Sequence, residues 1–80
     1  MSSVVFSSDI QENYDSCHDF AVFVDECVDD FIDNDEKEPK AYSIPDFIAE
    51  NEDEYDDSHC REIEIKLKKN GDVKVRYGYY

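Results

Sequence analysis

Apolar and polar residues alternate most regularly toward the C-terminal end of the chain, where Ile63, Ile65 and Leu67 interleave with Glu62, Glu64, Lys66 and Lys68. After Asn70-Gly71 the alternation resumes with Val73, Val75, Tyr77 and Tyr79. A period of two belongs to half-buried strands, so the pattern predicts a β-hairpin over about 61–80. Its register follows from requiring opposed residues to share a face. A two-residue Asn-Gly loop would set Leu67 against Lys74 and mix the faces. A three-residue loop, Lys69-Asn70-Gly71, with Gly71 in the left-handed position of a bulged type I turn, opposes Leu67 with Val73, Ile65 with Val75 and Ile63 with Tyr77. That register also sets Glu64 against Arg76 and Lys68 against Asp72, both favourable pairs.

Upstream the period changes. Cys17, Phe20, Ala21, Val24, Cys27, Val28, Phe31 and Ile32 recur at the three- and four-residue intervals of one helical face, which predicts an amphipathic helix over Asp15 to Asp33. Asp15 or Ser16 is placed to cap it, and Asp19 falls in the first turn, where the helix dipole favours a carboxylate. At about 100° per residue, Asp19, Glu26, Asp29, Asp30 and Asp33 share the opposite face, with Val22 among them and Phe23 at its border.

Residues 34–42 show no period and contain Pro39, so they read as a connection. Ser43 as cap, Pro45 in the first turn and Asp46 three residues on resemble a capping box opening a second, shorter helix. Its expected buried contacts are Ile44, Phe47 and Ile48, and its outer side and following loop carry Asp46, Glu50, Glu52, Asp53, Glu54, Asp56 and Asp57. An isolated hairpin is marginal in water, and Val4 to Ile10 supplies a third strand with Val4, Phe6 and Ile10 inward. The expected fold is α+β, a β-α-α-β-β domain with an antiparallel sheet and acidic helices on one face.

Length and charge narrow the function. Eighty residues allow a single domain, an acidic helical layer at about 14–57 followed by the hairpin. The chain holds 22 Asp+Glu against 8 Lys+Arg, a net charge of −14. Residues 1–60 contain 19 of the acids with only Lys37 and Lys40, a balance of −17; residues 61–80 hold three acids and six bases, a balance of +3. Such a surface repels nucleic acid and anionic membranes, so a macromolecular partner is expected to present a basic face. The longest apolar stretches, such as Phe20-Ala21-Val22-Phe23-Val24, fall far short of the roughly 20 residues of a membrane span. The first residues lack the pattern of a secretory signal, and the expected compartment is the cytoplasm.

The remaining chemistry is sparse. Cys17, Cys27 and Cys60 are an odd number of thiols, read as reduced. Cys17-His18 and His59-Cys60 combine zinc-ligand types, but neighbours on a helix diverge by about 100° and Cys17 lies on the core face. A Cys60 nucleophile with His59 or His18 would sit among carboxylates that raise a thiol pKa. Gly71 and Gly78 are the only glycines, which excludes a glycine-rich phosphate loop, and Asp29 to Glu38 lacks the glycine of a calcium loop. The reading is no enzyme, no metal and no cofactor.

What stands out is the acid itself, since a net charge of magnitude about 2 to 8 keeps a small domain soluble. Duplex DNA offers its binding proteins one negative charge per roughly 1.7 Å of axis. A helix displaying Asp19, Glu26, Asp29, Asp30 and Asp33 beside a second acidic element can offer carboxylates to the same Lys and Arg side chains. Tyr14, Tyr42, Tyr55, Val22 and Phe23 are candidates for accompanying apolar contacts. In segments such as Asp25-Glu26-Cys27-Val28-Asp29-Asp30 and Glu50-Asn51-Glu52-Asp53-Glu54-Tyr55-Asp56-Asp57, and in size, charge and architecture, the chain resembles phage-encoded DNA-mimic inhibitors of the anti-CRISPR and antirestriction type. The resemblance is to a type, without a shared motif, and carries over no residue roles. It implies a stoichiometric inhibitor, monomeric or homodimeric, that blocks target DNA recognition by a CRISPR effector complex in an infected bacterium. Two other classes remain open: an immunity protein or antitoxin occluding a nuclease active site, and an adaptor working through the outward Lys66, Lys68, Lys74 and Arg76 of the hairpin.

Overall fold

The computed structural model describes residues 3–50 and 61–78. The elements run β1 (Val4–Phe6), α1 (Ser8–Ser16), α2 (His18–Asp33), β2 (Lys40–Ser43), α3 (Asp46–Ala49), β3 (Glu62–Leu67) and β4 (Val73–Tyr77). The fold is α+β: helices pack on one face of a four-stranded sheet ordered β1-β4-β3-β2.

The β3–β4 hairpin has the register required by its two faces, with Ile63 opposite Tyr77, Glu64 opposite Arg76, Ile65 opposite Val75 and Leu67 opposite Val73. Gly71 N–H donates to the Lys68 carbonyl at 3.0 Å, and Gly71 takes φ +93°, so the loop is the bulged turn that needs glycine there. Ile63, Ile65, Val73, Val75 and Tyr77 are buried beneath the helices.

The sheet is mixed rather than antiparallel. β1 lies parallel to β4, with Val4 beside Val73 and Phe6 beside Val75. A parallel neighbour needs a long crossover, and α1 and α2 lie within it. The first strand also stops at Phe6: Ser8 opens α1, and Ile10, expected in the strand, is fully buried as a helical residue.

One helix was expected from Asp15 to Asp33, and two occur. Cys17 leaves helical geometry at φ −121°, ψ 109°, ending α1 and capping α2, where its Sγ accepts from the Phe20 N–H at 3.3 Å. Neither Asp15 nor Ser16 caps α2; Ser16 Oγ donates back to the Glu12 carbonyl at 2.9 Å within α1. The break gives each helix its own packing direction. The Asn13 side chain, buried, hydrogen-bonds the Tyr77 hydroxyl and fastens α1 to β4. Of the face expected to be buried, Phe20, Val24, Cys27, Val28 and Phe31 are in the core, whereas Ala21 is half-buried and Ile32 exposed.

The connection at 34–42 also contains a strand. β2 pairs antiparallel with β3, placing Lys40 beside Ile65 and Tyr42 beside Ile63 on the helix-facing side. Ser43 therefore ends a strand instead of capping a helix; Pro45 precedes the single turn of α3. Ile44 and Ile48 enter the core as expected, but Phe47 is 59% exposed, because so short a helix turns only one side inward.

Candidate protein-binding face

The acidic face is built on α2. Between Ser8 and Asp33 the chain has nine acids and no Lys or Arg, so neither helix carries a cation of its own to neutralise them. The amphipathic period that buries Phe20, Val24, Cys27 and Phe31 turns Asp19, Glu26, Asp29 and Asp33 to solvent, and among the described residues none of these four makes an ion pair. Asp19 to Asp33 spans roughly 21 Å at ~1.5 Å per residue.

This arrangement opposes helix stability. Asp25 and Asp29, and Asp29 and Asp33, are like charges four residues apart, a spacing that costs an isolated helix about 0.2–0.5 kcal/mol per pair. Asp29, Asp30 and Asp33 also crowd the negative end of the helix dipole, and the last turn has no basic residue.

Asp30 is placed differently from its neighbours. Its carboxylate receives the Tyr42 hydroxyl at 2.7 Å and Lys40 Nζ at 3.1 Å on one oxygen, and Asn34 Nδ2 at 2.9 Å on the other. Lys40 Nζ in turn lies 4.9 Å from the Tyr42 ring centroid. The Tyr42 and Lys40 hydrogen bonds hold the Asp30 carboxyl below its usual range, and Asp30 raises Lys40. Burial first, then the bond to Asp30, pushes the Tyr42 hydroxyl up to about 12. Asp30 thus joins β2 to α2, and its charge is largely answered within the molecule.

Further acids are exposed outside that stretch of α2, some of which the pattern had not singled out. Glu12 and Asp15 of α1 are exposed, and Asp25 accepts the Tyr14 hydroxyl at 2.9 Å, which raises that hydroxyl's pKa. Asp46 and Glu50 are exposed at the two ends of α3. Glu52, Asp53, Glu54, Asp56, Asp57 and Tyr55 lie outside the described residues. Among the apolar candidates Val22 is exposed, while Tyr14, Phe23 and Tyr42 pack partly against the core. Ile32 and Phe47 are exposed apolar residues that the periodicity had assigned to the core. The angular position of Ile32, at the rim of the buried stripe, was the one available signal. Between β1 and α2 a concavity of ≈ 450 Å³ is floored by Val4, Phe6, Val28 and Ile32 and flanked by Asp25 and Asp29.

The thiols offer little chemistry. Cys17 and Cys27 are free and buried; burial first, then Asp30 and Glu26, pushes the Cys27 thiol up to about 12. His18 is exposed at the start of α2, and His59 and Cys60 lie outside the described residues. Among the described residues no three His, Cys, Asp or Glu side chains gather as a metal site would require, and no helix is long and apolar enough to cross a membrane.

Fold and surface together define a small α+β domain with an acidic helical layer over a mixed sheet. No family model, no curated protein and no solved structure matches the chain.

Proposed function

We propose that this chain is an acidic, DNA-mimicking inhibitor, without enzymatic activity of its own, that binds the basic nucleic-acid-binding surface of another protein and keeps DNA from it. One observation carries the reading: α2 holds Asp19, Glu26, Asp29 and Asp33 in solvent without a single cation, at spacings and at a helix end where they oppose the helix's own stability. A basic partner would relieve that repulsion, and steered association would be fast and salt-sensitive. The apolar floor beside Asp25 and Asp29 supplies contacts that discriminate among basic surfaces. The target favoured by the resemblance to phage inhibitors is a CRISPR effector complex in the cytoplasm of a bacterial host.

The test is competition. The chain is titrated into an effector complex and target duplex binding is read by gel shift. Loss of binding at stoichiometric ratio is expected, with binding restored when the inhibitor carries Asp19→Asn, Glu26→Gln, Asp29→Asn and Asp33→Asn together. Asp30 is left intact because it holds β2. Undiminished DNA binding at saturating excess removes the effector as target, and equal inhibition by the neutralised variant removes the acidic face as the cause.

A further inference from the structure

The two edges of the sheet are finished differently. At one edge, β2 begins with Lys40 just after Pro39, and the Lys40 and Tyr42 side chains are tied to Asp30. Lysine and proline at an edge discourage a further strand. At the other edge, β1 reads Val4-Val5-Phe6 and has neither. The Val73 N–H donates to the Ser3 carbonyl at 2.9 Å and the Ser7 N–H to the Val75 carbonyl at 3.0 Å. Backbone groups alternate sides along a strand, so those of Val4 and Phe6 point away from β4, and among the described residues no strand lies beyond β1 to receive them. The Val4 and Phe6 side chains share the helix-facing side with Val73 and Val75 and line the concavity beside α2 together with Ile32. Val4 is 41% and Ile32 50% exposed there. The groove is held in shape, because the Phe6 ring lies 4.7 Å from the Tyr14 ring and the Tyr14 hydroxyl bonds Asp25. Asp25 and Asp29 stand exposed along its α2 side.

We propose that β1 and this groove take an extended basic segment of another protein as an added strand. This rests on the reading of the acidic layer as a surface for a basic protein, and it names the element of that protein which is held. Each property of the occupant comes from a separate feature. The outward amides and carbonyls of Val4 and Phe6 call for an extended backbone that completes their hydrogen bonds. The exposed Val4 and Ile32 call for an apolar side chain, and Asp25 and Asp29 for Lys or Arg. Residues two apart on a strand share a side, so an apolar residue settles into the groove while a basic one two positions away reaches a carboxylate. A second copy of the chain is a poorer occupant: β1 against β1 brings two sets of Asp25 and Asp29 together, each on a chain of net charge −14. A nucleic acid meets the same repulsion and has no amide edge to offer.

The test uses the full chain and a fluorescein-labelled peptide, Lys-Thr-Val-Thr-Lys-Thr-Val-Thr-Lys, which puts Lys and Val on one side of a strand and Thr on the other; binding is read by anisotropy. The peptide is expected to bind and to weaken as salt rises. Exchange of its valines for serine should cost about 10-fold in affinity, as should Ile32→Ser in the protein. Two N-methylated peptides, one methylated on the Thr amides and the other on the Val and Lys amides, each blunt one edge of the strand. One of them should bind like the parent and the other lose about 10-fold or more. Val4→Pro removes an outward N–H while sparing the bonds to β4, and should lose the peptide with the helix and strand content of the parent. Absence of peptide binding at low salt, equal binding of the serine peptide, or equal effects of the two methylation patterns would overturn the proposal. So would concentration-dependent self-association that excludes the peptide, since the occupant would then be a second copy. Peptide binding by a chain that leaves effector–DNA binding intact upholds the groove and removes only the effector as target. DNA displacement by a chain that binds no peptide overturns the groove and leaves the inhibitory reading standing.

Discussion

The Tyr42 hydroxyl donates a 2.7 Å hydrogen bond to Asp30 Oδ2, the same oxygen that receives Lys40 Nζ at 3.1 Å. A carboxylate that periodicity places on the acidic face thereby becomes a joint between β2 and the end of α2. Because these bonds depress the Asp30 pKa, their stabilisation is present above the ordinary carboxylate value of about 3.9 and is lost as pH falls through the lower folded value. Asp30→Asn should lower Tm by a few degrees at neutral pH, and the difference from the parent should close on acidification below about pH 4. Thermal melts across that range measure it.

The buried thiol sets the behaviour at the alkaline end. Cys27 is raised from an ordinary value near 9 to about 12, so the stability linked to its neutral form is complete below about pH 9 and declines as pH rises toward 12. Tyr42, raised to about 12, adds to the decline in the upper part of that window. Cys27→Ala should flatten the loss of Tm between neutral and alkaline buffer. In a Cys60→Ser background, neither Cys17 nor Cys27 should react with a thiol reagent in the native protein, and both should react in denaturant.

Two backbone positions test the turn geometry. Gly71 has φ +93° and no neighbouring atom within 4 Å of an added Cβ, so Gly71→Ala should cost only the backbone term of about 1–2 kcal/mol. That corresponds to a Tm drop of roughly 4–8 °C per kcal/mol in a domain of this size. Asp35, at φ +51° just beyond α2, is the reverse case, and Asp35→Gly should raise Tm.

Asn13 and Tyr77 connect α1 to β4 in a buried setting. Asn13→Ala leaves the Tyr77 hydroxyl without this partner and should destabilise by about 1–3 kcal/mol in denaturant melts. Gln11→Ala, which removes an exposed bond to Asp15, should have almost no effect.

Self-repulsion along α2 predicts an unusual response to salt. Raising ionic strength should increase Tm, because screening relieves repulsion among Asp25, Glu26, Asp29 and Asp33. The Glu26→Gln/Asp29→Asn/Asp33→Asn variant should show a higher Tm at low salt and a flatter salt dependence. A fall in Tm with added salt would mean that attractive pairs dominate the surface.

Several misread elements share one physical origin. Lys40-Ala41-Tyr42-Ser43 has no alternating apolar pattern, and it is a strand because the edge of β3 supplies hydrogen-bond partners and Asp30 receives the Lys40 and Tyr42 side chains. Ser8–Ser16 is mostly polar, with Ile10 fully buried and Tyr14 half-buried, so its helical state shows only once Asn13 reaches Tyr77. The helical period runs unbroken through Cys17, and nothing in it reveals that the chain changes direction there.

The sequence by itself determined the hairpin register, the buried stripe of α2 and the division of charge between helices and hairpin. Each is a local property, expressed in a period of two, a period of 3.6 or a count of side chains. Only the tertiary structure decided that β1 runs parallel to β4, that Asp30 is a joint rather than a free charge, and that Ile32 and Phe47 face solvent. Those outcomes depend on which distant residues become neighbours. Backbone pairing and side-chain hydrogen bonds between separate elements leave no periodic trace in the chain that forms them.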